Sequence, residues 1–208
     1  MRIRASNARH SPSTIRERAM PWIACVAGAT GLTGRALVEQ LRTDANYAQV
    51  WVLVRKAGSI RGDDKVRELV TDFEALTDLG VWPLPQTGHV DHVFCCLGTT
   101  IAKAGSQAAF TRVDLDYVLA LATVAKAHGA CHVGVISALG ANAQSSVFYN
   151  RTKGQMEKAV AALGVDSTHF LRPSLLLGER AERRGAESAA ITFAKLVGPV
   201  MLGPLRRY

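Results

Sequence analysis

Between Trp22 and Leu41 the chain reads WIACVAGATGLTGRALVEQL: an apolar run, then three glycines spaced G-x-x-G-x-x-G (Gly28, Gly31, Gly34), then an amphipathic segment with Ala36, Leu37 and Leu41 on one side. An apolar run of strand length with no polar alternation predicts a strand buried on both faces. A turn of small residues opening directly into a helix makes it the first half of a strand–helix–strand unit. AQVWVLVRK, about twenty residues on, supplies the second buried strand. The same alternation continues. KVRELVTDF reads as a short third strand, DHVFCCLG as a fourth, CHVGVIS as a fifth and STHFLRP as a sixth. Long helices are expected over 106–128 and in VFYNRTKGQMEKAVAAL, and a last one over 186–197. The connection EALTDLGVWPLPQTG, with two prolines and two glycines, has little room for a full crossover helix. The predicted fold class is α/β: a doubly wound, mostly parallel Rossmann-type sheet with helices on both faces.

Small residues at a strand-to-helix turn let a pyrophosphate approach the backbone, and the helix N-terminus offers unpaired N–H groups and a partial positive charge. A glycine triplet alone signals only a tight turn; in this context it predicts a dinucleotide site. The end of the second strand selects the dinucleotide. A carboxylate there would bind a ribose 2′-hydroxyl, but VLVRKAG presents Arg55 and Lys56 with no carboxylate before Asp63, which suits a 2′-phosphate. NADP(H) is the expected cofactor and NAD(H) the alternative; the blander reading of the two cations is a solvated basic turn.

Reactive groups gather after the fifth strand. Tyr149 and Lys153 stand four apart at the start of a helix and so share a face, and Ser137 ends the strand on the edge where open α/β sheets bind ligands. Hydride transfer to a carbonyl needs a proton donor for the developing alkoxide. A tyrosine serves if a nearby ammonium lowers its pKa, and a serine hydroxyl can hold the carbonyl oxygen. Y-x-x-x-K alone is common by chance; with Ser137 twelve residues upstream and a nucleotide turn in the same chain, it predicts Ser137, Tyr149 and Lys153 as catalytic.

Composition narrows the alternatives. The 208 residues carry a formal charge of +8, but residues 1–20 hold five arginines and one glutamate, so about half the excess is terminal. That segment lacks the apolar core of a secretory signal; it reads as a disordered basic extension, or an upstream start before Met20, ahead of one domain over 21–208, with an Arg- and Ser-rich organelle transit peptide as the alternative. No aromatic platform interleaves with arginines in the rest of the chain, so nucleic acid is not expected as a primary partner. The apolar stretch AAITFAKLVGPVMLG is too short to span a membrane and is interrupted by Lys195. The four cysteines lie in apolar runs, which predicts buried thiols in a reducing cytoplasm. His89, His92, Cys95 and Cys96 are close in sequence, but in a strand Cys95 and Cys96 face opposite ways, so no metal is expected. VISALG lacks the G-x-S-x-G of a hydrolase nucleophile.

With GATGLTG, VLVRK, DHVFCCLGTT, FTRVDLDYV, FLRPSLLLG and the Ser137–Tyr149–Lys153 spacing, the chain from about Trp22 onward resembles the atypical branch of the short-chain dehydrogenase/reductase superfamily, and within it the Tat-interacting-protein-like oxidoreductases. The resemblance implies cofactor contacts from Thr30, Leu32 and Thr33 beside the three glycines. It implies Asp72 and Phe73 flanking the adenine, Leu97, Gly98 and Thr99 after the fourth strand, Lys153 on the nicotinamide ribose, and Arg172–Pro173 beside the nicotinamide. Asp114 occupies the place where many members have an asparagine of a proton relay. Relatives generally continue past the point matching MLGPLRRY, which implies a truncated chain with apolar surface exposed. Many pack subunits through the helices matching 106–128 and 148–163, so a monomer or a homodimer is expected. The function expected is NADPH-dependent reduction of a small carbonyl, or oxidation of the alcohol. The alternatives are a non-catalytic NADPH-sensing regulator or scaffold, and a sugar-nucleotide epimerase-like enzyme, which normally has a larger substrate domain.

Overall fold

A computed structural model of the chain describes residues 21–79 and 89–174. Six strands are hydrogen-bonded in one parallel sheet: β1 (Trp22–Ala27), β2 (Tyr47–Val54), β3 (Val66–Val70), β4 (His92–Cys95), β5 (His132–Ile136) and β6 (Ser167–Leu171). Their spatial order is β3-β2-β1-β4-β5-β6, with β1 pairing both β2 and β4. This is the doubly wound order, and it places a crevice at the carboxyl ends of β1 and β4, where the winding reverses.

The alternation along each strand separates two cores. Cys25 and Ala27 of β1, Val93 and Cys95 of β4, and Val133 and Val135 of β5 face α5 (Tyr117–Ala127) and α6 (Phe148–Ala162). Ala24 and Val26 point the other way, joining Val50, Val52 and Val54 of β2 against Val38 and Leu41 of α1 (Leu32–Thr43). Burial on both faces accounts for the continuous Val-rich runs in the sequence. Cys25 and Cys95 are buried, Cys96 is half-buried, and Cys131 is exposed. The expectation of buried thiols therefore fails at Cys131, which precedes β5 instead of lying within it.

Two connections differ from the sequence reading. Asp72 and Phe73 do not extend the third strand. β3 stops at Val70, and the Asp72 carboxylate accepts from the Glu74 N–H at 2.9 Å, starting the seven-residue helix α2 (Phe73–Leu79). Between β4 and β5 a one-turn helix α3 (Ile101–Ala104) comes first. Helix α4 (Gln107–Thr111), capped by Ser106, then runs into α5 through a wide π turn at Arg112–Asp116. Such a turn inserts one residue and advances the helical phase. Phe110, Asp114 and Val118 are all buried along this run. The helix expected over 186–197 lies outside the described residues.

Candidate functional site

The cofactor end is built from β1, α1 and the end of β4. Gly28 leaves β1 with φ +81°, and the turn closes when the Gly31 N–H donates to the Gly28 carbonyl at 3.0 Å. A Cβ on Gly28 would lie 2.4 Å from the carbonyl oxygen of Cys96, and one on Gly34 would lie 2.3 Å from that of Gly28. Both obstacles are backbone, so neither glycine can be replaced without moving the sheet or the helix. Gly31 is the N-cap of α1 and gives it no side-chain cap. The first-turn N–H groups therefore have no side-chain partner and suit an anion.

A cleft of about 640 Å³ opens in front of this turn. Of the residues expected to bind cofactor, Gly28, Thr30, Gly31, Arg55, Lys56, Phe73, Leu97, Gly98 and Thr99 line it. Leu32 and Thr33 form the first turn of α1, and Gly34 packs that helix on the preceding turn. Asp72 is an exposed cap of α2, and Lys153, Arg172 and Pro173 lie away from the cleft lining. Sequence reasoning missed Ser59, Lys103 and Tyr117, which also line it. The Tyr117 ring stacks on Phe73 at 5.6 Å, and its hydroxyl donates to Glu74, whose other oxygen accepts from Arg112. Burial and the Glu74 hydrogen bond push the Tyr117 phenol up to about 12. The basic loop after β2 is held in shape by Glu68 of β3, which accepts from the N–H groups of Gly58, at 2.7 Å, and Ile60. Burial pushes the Cys96 thiol in the cleft wall up to about 11, leaving it unreactive at neutral pH.

The second centre lies between the π turn and α6. Asp114, 1% exposed, directs one carboxylate oxygen at Lys153 Nζ, 2.8 Å away, while the other accepts from the Thr99 N–H at 2.8 Å. Lys153, 3% exposed, also donates to the Ile136 carbonyl at 3.3 Å. Asp114 thus joins the cleft wall to the helix carrying Tyr149. The Tyr149 ring packs against Phe110 with centroids 5.7 Å apart. Its phenol is held above the usual tyrosine value, first by burial and then by the Asp114 charge. The sequence suggested an ammonium that lowers this pKa; the opposite direction results because burial disfavours the phenolate and because Asp114, which accompanies Lys153, acts on the same phenol.

Ser137 continues the face of β5 that meets α6 and is 3% exposed. Its hydroxyl helps hold the Glu157 carboxyl down, yet the two do not reach hydrogen-bonding geometry. Among the described residues its Oγ and the Trp51 indole nitrogen are the buried side-chain polar atoms left unpaired. Glu157 grips Arg172 with both oxygens, one at 2.9 Å from Nε. No hydrogen bond joins Ser137, Tyr149 and Lys153 to one another among the described residues; Lys153 reaches the Ile136 carbonyl beside Ser137, and Asp114 links it to the cleft wall. Among the described residues no group of three or more His, Cys, Asp or Glu side chains is arranged to hold a metal ion, and no helix is long and apolar enough to cross a membrane.

The profile of a family described as NAD(P)H-binding matches residues 28–195. Protein HTATIP2 of Rattus norvegicus is 38% identical over 170 residues, covering 81% of this chain and 68% of that protein. Protein FMP52, mitochondrial, of Eremothecium gossypii is 35% identical over 176 residues, covering 84% and 76%. Among solved structures, an oxidoreductase of the short-chain dehydrogenase/reductase family from Burkholderia thailandensis superposes with a TM-score of 0.61 at 19% identity, over 83% of this chain and 75% of that one. The UDP-glucose 4-epimerase of Thermotoga maritima superposes with a TM-score of 0.56 at 15% identity, over 72% of this chain. The chain spans just over half, 54%, of that epimerase's length. With the open N-terminus of α1, the glycine turn and the doubly wound sheet, these matches establish that the chain belongs to the NAD(P)H-binding family and has a Rossmann-type fold.

Proposed function

We propose that the protein is an NADPH-dependent oxidoreductase that reduces a small carbonyl compound. The observation that carries this reading is the Thr99–Asp114–Lys153 connection, which gives the cofactor cleft and the Tyr149 helix a common wall. When bound, a reduced nicotinamide supplies the hydride for the carbonyl carbon. Tyr149 gives its phenolic proton to the carbonyl oxygen, and its raised pKa keeps that proton in place at neutral pH. The Ser137 hydroxyl, which acts on Glu157 without completing a hydrogen bond to it, donates to the same oxygen. Lys153, fixed by Asp114 and the Ile136 carbonyl, holds α6 against β5 and offers its remaining donor capacity to a ribose hydroxyl.

Arg55 and Lys56, in a loop preorganised by Glu68, support NADPH over NADH. Arg55→Ala is expected to weaken NADPH binding by about tenfold while changing NADH binding by less than about twofold, since only the 2′-phosphate is lost as a partner. Side-by-side fluorescence titrations check this; equal losses for both would remove the role assigned to Arg55. The reaction itself is tested by following NADPH absorbance with a panel of aldehydes and ketones.

A second reading, a cofactor-binding regulator, is favoured by the burial of Tyr149 and by the Asp114 charge near it, which together leave the phenol raised instead of activated. Tight NADPH binding with no turnover of any carbonyl would select it. The compartment we infer is the cytoplasm; relatives named mitochondrial make fractionation of cells the deciding measurement.

A further inference from the structure

We propose that Glu157 is a positioning residue for the nicotinamide end of the site, acting as a clamp that holds the segment after β6 against β5 and α6. The inference rests on the proposed function, which puts the reacting end of the cofactor beside Ser137, Tyr149 and Lys153.

Tyr149, Lys153 and Glu157 follow one another at intervals of four, so the stripe of α6 that presents the two reactive groups presents this carboxylate one turn later. Glu157 is 7% exposed, and a buried carboxylate is kept only where its charge is answered. The answer comes from Arg172, the first residue after β6, whose planar fork meets both carboxylate oxygens. Burial works to raise the Glu157 carboxyl, but the Arg172 hydrogen bonds, the Ser137 hydroxyl and the nearby Lys153 charge outweigh it and hold the group below its usual value.

The same segment is tied by its backbone to the strand end that carries Ser137. The Ser137 N–H donates to the Leu171 carbonyl at 2.7 Å, and the Leu139 N–H to the Pro173 carbonyl at 3.1 Å. Both bonds join the end of β6 to the β5–α6 connection; neither reaches α6. Among the described residues the Arg172–Glu157 pair is the only side-chain hydrogen bond or ion pair linking Arg172, Pro173 or Ser174 to the Tyr149 helix. Without it, the segment after β6 loses its side-chain tie to the Tyr149 helix, while Lys153 still holds the Ser137 strand end through the Ile136 carbonyl. The cleft in front of Gly28, built from β1, β2 and β4, does not depend on it. The clamp therefore governs the nicotinamide end of the cofactor and not its adenosine end.

That division gives the test. NADPH and 2′-phospho-ADP-ribose, which lacks the nicotinamide, are titrated by calorimetry against the full chain, Glu157→Gln, Arg172→Gln and the double variant, with far-ultraviolet circular dichroism confirming the fold. The expected result is fragment affinity within about twofold of the parent in every variant, NADPH affinity weakened by about tenfold, and a double variant no worse than either single one. Arg172 is half-exposed, so its replacement reads the clamp even where Glu157→Gln lowers the yield of folded protein. Equal weakening of both ligands, or a lowered melting temperature with both affinities intact, would reduce the pair to a structural ion pair and overturn the inference. A parent chain that binds neither ligand would instead overturn the NADPH reading on which it rests, and parallel titrations with NADH and ADP-ribose then separate the choice of cofactor from the clamp. Discrimination between NADPH and its fragment, without turnover of any carbonyl, would support the clamp and refute only the carbonyl reduction.

Discussion

Replacing Asp114 with alanine is expected to destabilise the protein by about 3–5 kcal/mol, the cost typical of removing one partner from a buried ion pair. Both members are nearly inaccessible, so solvent cannot take the place of the missing carboxylate, and the Lys153 ammonium is left with the Ile136 carbonyl at 3.3 Å. The Thr99 N–H loses its acceptor in the same step, which loosens the cleft wall as well as the core. For a chain of this size the loss corresponds to a fall of about 6–20 °C in melting temperature. Asp114→Asn keeps an acceptor for Thr99 and is expected to cost less. Denaturant unfolding of the two variants beside the parent checks the order. The exposed Glu39–Arg42 pair on α1 is the control: removing Glu39 should leave the transition in place, because water screens both groups. An Asp114→Ala transition that coincides with the parent's would mean that Lys153 finds another way to solvate its charge, and the connection from Thr99 to α6 would lose its weight.

The cofactor half was far more legible in the sequence than the catalytic half. The βα turn declares itself because steric demands act locally: Gly28 must accept a positive φ and a carbonyl of the neighbouring strand within reach of any Cβ, so its identity is written where it is needed. The strands are legible for a similar reason, since burial on both faces leaves uninterrupted Val and Leu. Tyr117 was hidden because its place in the cleft wall depends on α2, whose Phe73 stacks on its ring from a distant part of the chain. Asp114 was visible only as a candidate. Its role depends on two partners, 15 residues before it and 39 after it, that no local pattern reveals. Glu157 gave no signal at all. A glutamate on an amphipathic helix is ordinarily a solvated residue, and only the placement of Arg172 at the end of β6 turns it inward. Local sterics can be read along the chain, whereas charge pairing between distant elements needs the fold.

Tyr149→Phe should reduce carbonyl reduction by about 10²–10⁴-fold, the usual contribution of a positioned general acid, while leaving NADPH affinity unchanged. Cofactor binding should survive because Tyr149 does not line the cleft, and the fold should survive because phenylalanine keeps the ring packed on Phe110. The pH dependence carries the mechanism further. The Tyr149 phenol is raised by burial first and by Asp114 second, so the proton-donating form is complete through neutral pH and the reductive rate falls only above the usual tyrosine range. Stability follows the same sign. Below the ordinary tyrosine value both folded and unfolded chains hold this proton; above it the unfolded chain loses the proton first, and the fold weakens until the raised folded value is passed. Alcohol oxidation, which needs the deprotonated phenolate, should rise over the alkaline interval in which reduction falls. Asp114→Asn removes the second cause and, with Lys153 still charged, should move the alkaline limit of reduction downward without abolishing turnover. That movement separates a phenol acting as the acid from a tyrosine that merely packs the site: a packing residue could lower the rate, but it would leave the alkaline limit where it stands when the neighbouring carboxylate is neutralised.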